Sequence, residues 1–179
     1  MNTIASLTRS SPEQAEAAVE DLADLFRASL RDARQFHTLK EEFQLCHRYL
    51  EIEGLRLGDR LQIDWHVDDL PQNALLPPLL IQPLLENAIY HGIEPRIEGG
   101  IIRIEGKREG KQLHLQITNP VSHDKSASEG NRIAQENIRA RLTTLYGKYG
   151  AMETCETDGN YVVNLTWPYR NKLDEDTDN

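Results

Sequence analysis

The chain has 179 residues and a formal charge of -9, with 29 acidic against 20 basic side chains. That length supports one domain with an appendage and a substantial core, and the acidic balance argues against non-specific binding to DNA, RNA or an anionic membrane surface. Cys46 and Cys155 are far apart in the chain, offer neither a disulfide framework nor a zinc site, and fit a reducing, cytoplasmic setting. No run approaches the roughly 18 apolar residues of a membrane span, and the first residues lack the charged start and apolar block of a signal peptide.

Ser11-Pro12-Glu13-Gln14 supplies an N-cap, a proline at the first helical position and an early acid, so a helix is expected up to about Leu30. Its apolar face, Ala15, Ala18, Val19, Leu22, Leu25 and Phe26, requires a partner such as an antiparallel helix or a second subunit. Thr38-Leu39-Lys40-Glu41 matches the capping box and predicts a second helix to about Arg56, with Phe43, Cys46, Leu50 and Leu55 inward. Leu61, Ile63, Trp65 and Val67 then alternate with polar residues, the period of a half-buried strand.

After the prolines at 77 and 78 comes LLIQPLLENAIYHGI, whose spacing predicts a helix from about Pro78 with Ile81, Leu84, Leu85, Ala88 and Ile89 on the buried face. Asn87 and His91 are four apart on another face, with Tyr90 beside them. A hairpin is expected over Ile101–Ile117 with its turn at Glu109-Gly110, then a polar loop from Pro120 to Asn131. A third helix over about Ile133–Tyr146 and two strands joined by Asp158-Gly159 complete the pattern. The fold class this implies is α+β, and the charged NKLDEDTDN tail has too little apolar surface to order itself.

The word ENAIYHG resembles the N box of the GHKL ATPase superfamily, and LPPLLIQPLLENAIYHGI is similar to the LytS/AlgZ branch of sensor histidine kinases. The words IASLTRSSPEQAEAAVEDLADLFRASLR and TLKEEFQLCHRYLEIEGLRLGDRLQI fit the same branch, so the resemblance runs from Met1 to about Trp167. It implies a two-layer α/β sandwich, the Bergerat ATP-binding fold, over residues 36–169, preceded over residues 1–35 by the remnant of a dimerisation hairpin and followed over 170–179 by a disordered acidic tail.

The resemblance also implies ATP and magnesium as cofactors. By position, Asn87 would bind the magnesium ion, Glu86 would be the catalytic acid that orients or polarises the reacting group, and Tyr90 and His91 would stand on the phosphate side, Tyr90 in place of a common lysine. Asn119 stands where the family has the aspartate that accepts from the adenine amino group, and the glycines after it are missing. The family's glycine-rich lid, G-x-G-x-G-L-x-N-V-R-E-R-L, survives here as GNRIAQENIRARL, keeping Gly130 and Asn137 and placing Arg132 where it could meet phosphate. Arg139 and Arg141, further along, could equally lie on a solvated helix surface.

In this branch the phosphorylated histidine lies in a word close to NPHFLFN, just before the residues that begin this chain. None of His37, His47, His66, His91, His114 and His123 sits in that setting, so the fragment alone is not expected to autophosphorylate. The implied whole is a homodimeric inner-membrane sensor with this part in the cytoplasm, no direct nucleic-acid contact, and a response regulator as partner, often one with a LytTR DNA-binding domain. The rival expectation is a degenerate module with weak or no ATP turnover that works as a dimerising scaffold for its regulator, favoured by the altered adenine and lid motifs.

Overall fold

The structure, a computed structural model, describes residues 36–121 and 128–171. The expected first helix and most of the acidic tail lie outside these residues. Arg170, at the start of that tail, is still tied to the domain: its carbonyl accepts from the Leu75 N–H at 2.7 Å.

Strand β1 (His37–Thr38) leads directly into helix α1 (Leu39–Leu57). The capping box forms as its sequence demands: the Glu41 N–H donates to Thr38 Oγ1 at 3.3 Å and the Thr38 N–H to Glu41 Oε2 at 2.8 Å. Phe43, Cys46 and Leu50 turn inward, whereas Leu55 is half exposed, contrary to expectation, and Leu57 is the residue that is buried at the end of the helix. β2 (Leu61–His66) follows, and its Trp65 meets Phe43 edge to face at 5.2 Å.

β3 (Leu75–Leu76) pairs antiparallel with β1, and helix α2 (Gln82–Ala88) continues into a π-helical turn over Ile89–Ile93. The chain then forms β4 (Gly100–Glu109), β5 (Gln112–Pro120), α3 (Ser128–Tyr146), β6 (Ala151–Thr157) and β7 (Asn160–Pro168). Among the described residues, five strands make one mixed sheet in the order β2-β4-β5-β7-β6, in which only the β2–β4 pair is parallel. Asp158 and Gly159, with φ of 50° and 73°, form the tight β6–β7 turn that their sequence predicts.

One sheet face is apolar and covered by the helices: Ile102, Ile104, Leu113, Leu115, Ile117, Leu165 and Trp167 are all essentially inaccessible. Each such side chain contributes about 1.5–3 kcal/mol by leaving water. The other face is polar, with Arg103 Nε donating to Asp64 at 2.7 Å and Gln116 Nε2 to Asn164 at 2.8 Å. The result is the expected two-layer α/β sandwich.

Two further expectations need correction. The LLIQPLLENAIYHGI helix does not start at Pro78: Leu79 has φ 55°, a left-handed conformation rare for a branched residue, and the helix begins at Gln82. The third helix starts at Ser128, so Gly130 and Arg132 lie on helical backbone instead of in a glycine-rich loop. Arg132 and Ala134 replace the glycines that would have kept that stretch irregular, and glycine is the residue that costs a helix most apart from proline.

Candidate nucleotide-binding site

The geometry of the ENAIYHG helix begins with its entry. Glu42, on α1 and fully buried, accepts from the Leu79 N–H at 3.0 Å, the Ile81 N–H at 2.7 Å and the Gln82 N–H at 3.3 Å. These are the donors that a helix start leaves without intrahelical acceptors. His37 Nε2 lies 2.8 Å from the same carboxylate. On the other side of the turn, Arg141 of α3 donates to the carbonyls of Pro78 at 2.6 Å and Leu79 at 3.3 Å. The left-handed Leu79 is thus held through both its N–H and its carbonyl.

The buried face of α2 is the expected one, Ile81, Leu84, Leu85, Ala88 and Ile89. Along its other edge, Gln82 Nε2 donates to Glu86 Oε1 at 2.8 Å. The Glu86 side chain reaches solvent, yet its apolar surroundings push the carboxyl above its ordinary range, opposed by the Gln82 bond and reinforced by the nearby Glu53 charge. Asn87 is partly buried, and its Nδ2 is inaccessible without a hydrogen-bond partner. An unpaired buried amide costs stability.

The π-helical turn carries the rest. Tyr90 is 58% exposed and stands edge-on to the His91 ring, centroids 4.8 Å apart. Partial burial lowers the His91 pKa, with Glu94 acting in the opposite sense, which favours the neutral imidazole at neutral pH. Gly92 abuts the end of β5: a Cβ there would stand 2.4 Å from Asn119 Nδ2 and 2.9 Å from the Pro120 carbonyl oxygen. Asn119 itself is 4% exposed, and its Nδ2 donates to that carbonyl at 2.9 Å. The absence of a side chain at Gly92 therefore brings the helix against the strand end. Gly92→Ala is expected to lower unfolding stability by about 1–3 kcal/mol through overpacking, measured by urea denaturation, with a displaced Asn119 amide resonance as its local sign.

Glu86, Asn87, Tyr90 and His91 thus share one stretch, and Asn119 joins it across Gly92. Asn137 is exposed on α3. Arg139 and Arg141 are half-buried and bonded within the protein. Arg139 donates to the Met152 carbonyl and Thr154 Oγ1, both at 3.2 Å, and Arg141 binds the Leu79 turn. His47 stacks on Trp65 with centroids 4.4 Å apart, a structural role. Sequence reasoning missed Glu42, although a signal existed: it shares a helical face with Leu39 and Cys46, and an acid at such a core position requires partners.

Comparison with known proteins places the chain. The family model "Histidine kinase" matches residues 1–61. The sensor histidine kinase BtsS of Escherichia coli K12 is 31% identical over 173 residues, 96% of this chain and 31% of BtsS. The sensor histidine kinase/phosphatase LytS of Staphylococcus aureus MRSA252 is 32% identical over 190 residues, 98% of this chain and 32% of LytS. The chain belongs to the LytS-type sensor histidine kinases.

The fold agrees with that family. The solved catalytic domain of the histidine kinase ThkA superimposes with a TM-score of 0.54 at 15% identity, covering 75% of this chain and 96% of that domain. ThkA in complex with the response regulator TrrA gives 0.53 at 14% identity, covering 88% of this chain and 50% of that one. The sandwich is thus the GHKL-type fold of histidine kinase catalytic domains. This LytS-type chain spans about a third of the length of the curated relatives it matches. Among the described residues no helix is long and apolar enough to cross a membrane.

Proposed function

We propose that this chain is the ATP-binding catalytic part of a two-component sensor histidine kinase, which passes the ATP γ-phosphate to a histidine outside this fragment and from there to a response-regulator aspartate. The observation that carries the reading is the junction at Gly92. There the helix bearing Glu86, Asn87 and His91 meets a buried polar strand end, Asn119, in the position of the family's adenine-reading residue.

The site residues suit magnesium and a nucleotide. Asn87 Nδ2 is the inaccessible end of the amide, which leaves Oδ1, a hard ligand, as the end that would meet a cation. Among the described residues no group of three or more His, Cys, Asp and Glu is arranged to hold a metal. That is consistent with magnesium, which takes one or two protein oxygens and completes its shell with phosphates and water. Bound there, the ion would neutralise charge on the phosphates.

Asn119 has its Nδ2 engaged by the Pro120 carbonyl, which leaves Oδ1 as the acceptor for an adenine amino group. Gln82 steadies Glu86, which would orient the accepting imidazole and take its proton. His91, kept neutral, would offer one ring N–H to a phosphate oxygen. Gly130, Arg132 and Asn137 belong to the lid side, where the helix N-terminus replaces glycine backbone as a source of positive potential.

In this reading residues 1–35 complete a dimerisation hairpin, residues 36–169 are the catalytic domain, and residues 170–179 are a tail. The protein works as a homodimer anchored to the inner membrane by a part outside this fragment, with the present chain in the cytoplasm. Its partner is a response regulator, as ThkA is bound to TrrA, here of the LytTR class.

A second reading, a scaffold that no longer turns over ATP, is favoured by Asn119 and by the helical backbone at Gly130. Titrating the protein with ADP, with and without magnesium, separates the two. Magnesium-dependent binding supports the kinase; no binding at millimolar nucleotide supports the scaffold.

A further inference from the structure

α1 and the ENAIYHG helix run in the same direction side by side. Glu42 near the start of α1 meets residues 79–82, Arg56 in its last turn meets Glu94, and Arg60, just beyond its end, meets residues 93–96. The charges match the helix ends, a carboxylate where N–H groups are unpaired and guanidinium groups where carbonyls are. At the far end, Arg60 Nη2 donates to the carbonyls of Arg96 at 2.7 Å and Glu94 at 2.9 Å, and approaches that of Ile93 at 3.4 Å. Arg56 binds the carboxylates of Glu94 and Glu53.

The backbone closes tightly on this grip. Gly99 has φ +68°, and a Cβ there would fall 2.0 Å from the Arg60 carbonyl oxygen. The grip holds the π-helical turn, closed by the bond from the Glu94 N–H to the Ile89 carbonyl at 2.9 Å. A π turn contains one residue more than the α-helix it interrupts and is rare except as a single turn, often at functional sites. Relaxation to α geometry would rotate the later residues of the turn by about 100°. Gly92 would then leave Asn119, and a residue with a side chain would face it.

We propose that Arg60 is a positioning residue of the nucleotide site: by gathering the carbonyls of Ile93, Glu94 and Arg96, it maintains the π-helical turn that presents Tyr90, His91 and Gly92. The inference rests on the nucleotide reading given above. Arg60 touches no reacting group; it acts through the backbone that carries them.

The test measures two quantities on wild type and Arg60→Ala: hydrogen-exchange protection of the Glu94 amide, with the Leu115 amide of β5 as internal reference, and Mg-ADP affinity by calorimetry. Arg60→Ala is expected to lose about tenfold or more in Glu94 protection relative to Leu115, and about tenfold in affinity. A purely structural arginine would lower both amides together and leave affinity unchanged. Arg60→Gln, which can reach one carbonyl at most, is read in the same way if the alanine variant does not fold.

Wild-type affinity in a folded Arg60 variant, or lost affinity with Glu94 protection intact, would overturn the proposal. Absence of binding by the wild type would instead overturn the nucleotide reading, and this inference with it.

Discussion

Glu42→Ala is expected to lower folding stability by about 3 kcal/mol, because it strands buried backbone N–H groups that each cost about 1–3 kcal/mol unpaired. Glu42 is fully buried and accepts from Leu79, Ile81 and Gln82, so the loss falls on the start of the helix that carries the site. Arg141 would lose the carboxylate whose charge offsets its own burial, adding to the effect. For a domain of this size the melting temperature should fall by roughly 10 °C.

Glu42→Gln keeps one acceptor oxygen and should cost about half as much. Urea unfolding followed by circular dichroism measures both variants. A change for Glu42→Ala within about 0.5 kcal/mol of wild type, the range of an ordinary surface substitution, would contradict this account of the helix entry.

Glu86→Gln should act in the opposite way, harming phosphotransfer and sparing the fold. In the full-length kinase, transfer from ATP to the acceptor histidine is expected to slow by about 10²–10⁴, the usual contribution of a positioned acid or base. Stability should not fall. Burial holds the Glu86 carboxyl above its ordinary pKa of 4.5, so the folded protein binds this proton more tightly than the unfolded chain.

The stability this group contributes is therefore present below pH 4.5 and is lost as pH rises through the elevated folded value. Glu86→Gln should match the wild type in acid and be equal or more stable at neutral pH, which denaturation at several pH values can follow. A variant that lost stability at neutral pH while retaining full transfer would place Glu86 in the structure and not in the chemistry.

Most of the fold was legible because its signals are local. The capping box at Thr38, the Asp158-Gly159 turn and the buried face of α2 each depend on residues within a few positions of one another, and each formed as expected; β2 forms where its alternation predicts a strand, although its Ile63 is exposed. The features that the sequence concealed are long-range. Leu79 adopts φ 55° because Glu42 and Arg141, 37 and 62 positions away, hold its N–H and carbonyl, and no local rule gives leucine that conformation. The π-helical turn has no signature of its own and depends on contacts from Arg60, 33 or more positions upstream of the carbonyls it binds.

The candidate site shows the same division. Glu86, Asn87 and His91 could be picked out from one short word, whereas the contact between Gly92 and Asn119 appeared only once β5 was placed beside the helix. The lid reads wrongly from sequence because Gly130 survives among residues that otherwise favour a helix. That helix begins at Ser128, five residues before the expected Ile133.

The central claim is that this helix holds a magnesium nucleotide through Asn87. Calorimetric titration of wild type and Asn87→Ala with ADP, each with magnesium and with a chelator, tests it most directly. The account predicts magnesium-dependent binding by the wild type that disappears in Asn87→Ala while the melting temperature stays the same or rises, since an unpaired buried amide has been removed. Equal, magnesium-dependent binding by both proteins would contradict it.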